Sequence, residues 1–278
     1  MIERAAGAGQ VKSWQARMEQ ALAQRLPPLD AEPTRLHAAM RQCVLNGGER
    51  LRPVLLFATA RALGLAEQQV EAAACAIELA HAYAQVHDDL PALRDGGRNG
   101  GSTACHEAYD EGTAVLAGDA LQSLAFQLLA GDGALPSSAE VRLRLIALLA
   151  AAIGAGGLTG GQSLDATAHG QTLSASELEA TYARRSGALI RASVLMAAAC
   201  APQVGPGVSE SLAGFATALA LGVRIQKDPG YRAACGAAAA SARLRQLHDE
   251  ALAALSALGA AAQPLRELAA WRLAGSAA

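Results

Sequence analysis

The chain has 278 residues, 52% of them hydrophobic and 17% charged, with a net charge of −2. It is apolar enough for a large core, too rich in hydrophobic residues for a disordered chain, and too near neutrality for a nucleic-acid surface. Aromatic residues make up only 3%, so the core has to be built from alanine and leucine, both strong helix formers.

The opening "MIERAAGAGQVKSW" has no apolar run of the kind a signal peptide needs, which points to a cytoplasmic protein. Gly and Pro then punctuate the chain at Pro27–Pro28, Gly47–Gly48, Gly96–Gly101, Gly131–Pro136, Gly154–Gly161, Pro202–Gly207 and Pro229–Gly230. The stretches between these breaks lack period-two alternation and read as consecutive helices. Ser137 with Glu140 and Ser174 with Glu177 have the spacing of capping boxes at two helix starts. The uncharged stretch 145–164 is broken by glycines and reads as a buried helix and turn, not a membrane span. The expectation is one all-α domain over 1–278 with roughly ten helices, too many for a four-helix bundle. Cys43, Cys75, Cys105, Cys200 and Cys235 have no metal-ligand spacing and an odd count, so reduced thiols are expected. Trp14 and Trp271, near the two ends, are expected to pack.

Five stretches carry chemistry. "NGGERLRP" (46–53) puts two glycines before an arginine-rich helix start, an arrangement suited to phosphate. "IELAHAYAQVHDDL" (77–90) places Ile77, His81, Ala84 and Asp88 on one helical face. It ends in two acids where the helix dipole favours a cation. "GGQSLD" (160–165) sets Gln162 and Asp165 three apart, on one face of a helix. "YARRSGALIRA" (182–192) gathers Arg184, Arg185 and Ser186 beside Gly187, and "LGVRIQKDPG" (221–230) aligns Arg224, Lys227 and Asp228 before a proline that ends the helix. Taken singly, each also fits an ordinary loop, a solvated helix end or a surface patch.

In this order, the five blocks resemble the trans-prenyl diphosphate synthases, specifically the short-chain farnesyl and geranyl type, over about residues 35–228. The resemblance implies the all-α isoprenoid synthase fold around a central cavity, usually dimeric. It implies condensation of isopentenyl diphosphate with an allylic diphosphate, and magnesium ions held between two facing aspartate-rich motifs, where metal acts as Lewis acid and clamp. Asp88 and Asp89 match the first motif, whose third aspartate falls on Arg94, with Asp95 one position later; the two arginines that follow in the family fall on Asn99 and Gly100. Arg52 and His81 match the isopentenyl diphosphate site, while that site's lysine falls on Glu49. Gln162, Asp165, Arg185 and Ser186 match the allylic diphosphate site, and Tyr83 resembles the bulky floor residue that keeps products short. In the second motif the leading aspartate falls on Lys227, only Asp228 persists, the glutamine three before the motif falls on Arg224, and the loop after it is missing.

Arg94, Arg224 and Lys227 thus put bases at acid or amide positions, either pairing with Asp88, Asp89 and Asp228 or holding a phosphate without metal. Asp88, Asp89, Asp95 and Asp228 remain as candidate magnesium ligands, of which a complete cluster is not expected. The leading expectation is a degenerate relative that binds a prenyl diphosphate or other anion, or serves as partner subunit, as a homodimer or a heterodimer with an active synthase. The alternative is an active magnesium-dependent prenyltransferase with an altered metal site.

Overall fold

A computed structural model describes residues 2–93, 103–136, 138–168, 171–201 and 203–273, with side chains from residue 9 onward. Among the described residues there is no strand, and fourteen α-helical segments follow one another. They are α1 (Ile2–Arg25), α2 (Thr34–Leu45), α3 (Leu51–Ala62), α4 (Glu71–Asp88), α5 (Cys105–Ala108), α6 (Glu111–Gly131), α7 (Ala139–Ile153), α8 (Leu158–Thr167), α9 (Ala175–Tyr182), α10 (Ala188–Ala199), α11 (Pro206–Lys227), α12 (Pro229–Cys235), α13 (Ala237–Ala254) and α14 (Gln263–Leu273). The count exceeds the expected ten partly because short pieces such as α5 and α12 stand alone. In addition, a π-helical turn at Ala183–Gly187 divides one continuous helix into α9 and α10.

The core is centred on α3 and α4. Both are apolar on nearly every side, the pattern of a helix enclosed by others, and α4 from Ala72 to Ala80 is buried without interruption. Alanine on so many faces lets α6, α3, α10, α1 and α2 approach α4 closely. A second layer packs α11 against α13 and α10, with α14 reaching back to α3. By length and composition alone α6, α11 and the stretch 139–167 are apolar enough to cross a bilayer; here each packs a face on neighbouring helices.

Helix starts follow local chemistry. Ser174 and Glu177 form the expected capping box. Ser137 lies outside the described residues, and the cap of α7 is Ser138, whose hydroxyl accepts from the Val141 N–H. Asp110 caps α6. The five cysteines are free thiols. Trp14 is buried and donates to Glu67 at 2.6 Å, whereas Trp271 is 42% exposed, contrary to expectation, with the Arg272 guanidinium over its ring.

Candidate active site

The acid pair ends α4. Asp88 is its last residue, and its two oxygens have separate partners. Oδ1 accepts from Gln162 Nε2 at 2.9 Å and Oδ2 from Arg185 Nη2 at 2.6 Å. Gln162 also donates to the Ala84 carbonyl at 3.2 Å, while the other end of the Arg185 guanidinium pairs with Asp165. The face expected on α8 therefore exists, and one arginine joins it to α4. The π turn accommodates an extra residue in its helical turn. Arg185 points inward, while Arg184 stays outside on the Ala180 carbonyl, and the Ser186 hydroxyl returns to the Tyr182 carbonyl.

The close approach of α8 to this turn needs Gly161. A Cβ there would lie 2.8–2.9 Å from the Arg185 backbone N, Cα and Cβ. Gly161→Ala is expected to force the two elements apart, cost about 1–3 kcal/mol and shift Gln162 off Asp88. Urea unfolding of the variant, with an unchanged midpoint as the contrary result, checks this.

Asp228, between the end of α11 and the start of α12, already has both oxygens bonded. Its Oδ2 accepts from the Tyr182 hydroxyl at 2.8 Å and from Arg224 Nη2 at 3.1 Å, and its Oδ1 accepts from the Gly230 N–H at 2.8 Å. Burial and this bond to Asp228 push the Tyr182 phenol well up, so it stays a donor. Pro229 does more than stop α11. It sits at the first position of α12, with Asp228 as that helix's N-cap, the position where a missing N–H costs nothing. Arg224 also lies over the Tyr182 ring, 5.2 Å from its centroid. Of the pairings expected among Asp88, Asp89 and Asp228, Arg224 makes the one to Asp228; the place on Asp88 is taken by Arg185, and Lys227 reaches Glu49 instead, at 3.1 Å.

The wall between α3 and α4 carries Arg52 and His81. Desolvation and the charges of Arg52 and Arg50 push the His81 imidazole well below its ordinary value, so it is neutral near pH 7. Burial also draws the Arg52 guanidinium down, against the opposing pull of Glu78 and Glu49, and its Nε is buried with no hydrogen-bond partner among the described residues. Beside it Arg50 is fully engaged by Glu19, Glu78 and the Val44 carbonyl. Tyr83 is buried, edge-on to His87 with ring centroids 5.8 Å apart, and its hydroxyl has no partner among the described residues. Arg94, Asp95, Asn99 and Gly100 lie outside the described residues.

Magnesium takes hard oxygen donors in near-octahedral geometry. Asp88 and Asp89 offer carboxylate oxygens of that kind at one helix end. Asp88, like Asp228, already has both oxygens bonded, but the opposite wall offers a single carboxylate, Asp228, flanked by the Arg224 guanidinium and the Lys227 ammonium. The donors fit an ion held from the Asp88 side; they do not fit a cluster clamped from two sides. Sequence reasoning missed Tyr182, Glu19, Glu78 and Arg272 as members of these networks. Of these, Glu78 and Tyr182 lie in stretches singled out for chemistry but carry no assigned role there.

The polyprenyl synthetase family profile matches residues 33–229. The farnesyl diphosphate synthase of Haemophilus influenzae is 39% identical over 215 residues, 77% of this chain and 72% of that protein. That of Escherichia coli is 39% identical over 210 residues, 75% of this chain and 70% of that protein. Among solved structures, a putative farnesyl-diphosphate synthase from a Marinomonas species superposes with a TM-score of 0.85 at 37% identity, over 96% of this chain and 98% of that one. A Zymomonas mobilis FPP/GFPP synthase gives 0.91 at 29% identity, over 97% and 99%.

Proposed function

We propose, from the premise that the chain belongs to the polyprenyl synthetase family, that it is a short-chain prenyltransferase joining isopentenyl diphosphate to an allylic diphosphate, as a farnesyl diphosphate synthase does. The relatives' names support this activity, and they reverse the order of the two expectations: the active reading now leads the degenerate one. The observation that carries it is the Asp88–Gln162–Arg185–Asp165 knot, which gathers from three separate elements the residues matching the family's allylic diphosphate site.

In this reading Arg185 and Gln162 are positioning residues for the allylic diphosphate, and each has to exchange Asp88 or Asp165 for a ligand oxygen. Magnesium at Asp88 and Asp89, when bound, supplies charge neutralisation of that diphosphate. Arg52 takes the diphosphate of the second substrate through its unpartnered Nε face, with the neutral His81 as a further hydrogen-bonding group. The buried Tyr83 closes the cavity floor and keeps the product short. Because the α11 wall adds no metal ligand, turnover is slow, roughly 10²-fold or more below that of a synthase with both motifs. The protein works in the cytoplasm as a homodimer; Val115, Leu116 and Leu143, exposed on α6 and α7, supply apolar surface for a second copy.

A second reading, a protein that binds the allylic diphosphate without elongating it, is favoured by one observation, the saturation of Asp228 by Tyr182, Arg224 and Gly230. Mass spectrometry of reactions with isopentenyl diphosphate and C5 or C10 allylic diphosphates separates the two. The first predicts a C10 or C15 product that requires magnesium; binding of the allylic substrate with no product supports the second.

A further inference from the structure

The loop before α3 holds a carboxylate where the family resemblance calls for a lysine, and the structure surrounds that carboxylate with cations from two distant helices. Glu49 Oε1 accepts from Arg272 Nη1 at 3.1 Å, while Arg272 Nη2 lies 3.0 Å from Oε2. Lys227 Nζ donates to the same Oε2 at 3.1 Å. Only Nη1 makes a hydrogen bond; Arg272 Nη2 and Nε are buried without a hydrogen-bond partner among the described residues, and a guanidinium and an ammonium converging on one pair of oxygens is also how protein cations grip a phosphate. Arg272 is only 11% exposed, so its charge is held largely out of water at the end of α14, whereas Glu49 is 49% exposed. Burial pushes the Glu49 carboxyl up, but the bond to Lys227 and the charge of Arg272 outweigh it and hold it below its ordinary value, so it is charged near pH 7.

Two features point to a larger anion than one carboxylate. Arg52, three residues on, feels Glu49 electrostatically and keeps a buried Nε without a partner among the described residues. Arg50, Arg52, Lys227 and Arg272 bring four positive charges to this wall against those of Glu19, Glu78 and Glu49, so withdrawal of Glu49 leaves two positive charges uncompensated for an anionic ligand. Glu49 follows Gly47 and Gly48, both at positive φ and with open space where a Cβ would stand, so its loop has room to withdraw.

We propose that Lys227 and Arg272 are diphosphate-binding cations and that Glu49 is a built-in competitor, occupying their site until a diphosphate displaces it. The charge lost from position 49 is returned to the same wall by α11 and α14. The proposal rests on reading Arg52 and His81 as the isopentenyl diphosphate wall, and it names the device that regulates entry there.

Isothermal titration of inorganic pyrophosphate, without magnesium, tests it. A closed latch leaves only a small fraction of molecules competent, so Glu49→Gln is expected to tighten pyrophosphate binding by about tenfold or more over the natural protein. Adding Arg272→Gln or Lys227→Gln to Glu49→Gln is expected to remove the gain. Circular dichroism establishes that each variant is folded. Unchanged or weaker binding by folded Glu49→Gln, binding by neither protein, or a gain that survives loss of both cations overturns the proposal. No turnover is involved, so a failure here leaves the prenyltransferase reading standing, and a failure of prenyl transfer leaves this result intact.

Discussion

Replacing Arg50 with alanine is expected to destabilise the fold by about 3–5 kcal/mol, the range for breaking a buried ion pair from one side. Arg50 is 6% exposed and Glu78 5%. The guanidinium meets Glu78 at 2.8 Å, Glu19 at 2.8 and 3.2 Å, and the Val44 carbonyl at 2.6 Å. Burial disfavours its charge, but the bond to Glu19 and the charge of Glu78 more than compensate, and its affinity for the proton is raised. Truncation leaves the Glu78 carboxylate inside the bundle without its cation, and a buried unpaired charge is far costlier than a missing contact. Arg50 also has a positive φ of 47° just before α3, which alanine does not relieve. Urea unfolding measures the loss. Removing both charges by Arg50→Met with Glu78→Leu is expected to recover much of it, since apolar replacements of a buried pair are often nearly neutral. A loss below about 1 kcal/mol for Arg50→Ala is the contrary result.

Asp88→Asn is expected to lower product formation by about 10²–10³-fold, the scale for removing one electrostatic group from a reaction centre. Asparagine keeps the shape and an acceptor for Arg185 or Gln162, so the fold survives and the loss reports chemistry. Asp228→Asn supplies the contrast. Its carboxylate serves Tyr182, Arg224 and the start of α12. Asparagine still caps α12, so the expected cost is about 1 kcal/mol, from weakening the charged bonds to Tyr182 and Arg224, with little effect on turnover. Steady-state rates of the two variants under saturating magnesium check the pair. Equal losses at Asp88 and Asp228 would mean that both walls hold the metal, against the one-sided site described here.

Most of the fold was legible because helices report themselves locally. Alanine and leucine content, glycine and proline breaks and the Ser174–Glu177 box all act within a few residues. The shared face of Gln162 and Asp165 was legible for the same reason, and the structure brings both to Asp88 and Arg185. Pairings across the chain were not legible. Lys227 and Arg272 meet Glu49 from positions 178 and 223 residues away. Periodicity carries no signal for such a meeting, so the sequence leaves Lys227 between the acids Asp88, Asp89 and Asp228 and a phosphate, and does not point to Glu49. The capping role of Asp228 is not legible either, because a proline after an acid also reads as a helix stop; only the backbone reveals that α12 begins there.

The most direct test of the central claim is the rate at which purified protein converts isopentenyl diphosphate and a C10 allylic diphosphate to the C15 product, measured with and without magnesium beside a farnesyl diphosphate synthase that carries both aspartate-rich motifs. The one-sided site predicts product only with magnesium, at a rate roughly 10²-fold or more below the control. No product from folded protein, or a rate equal to the control, would contradict it.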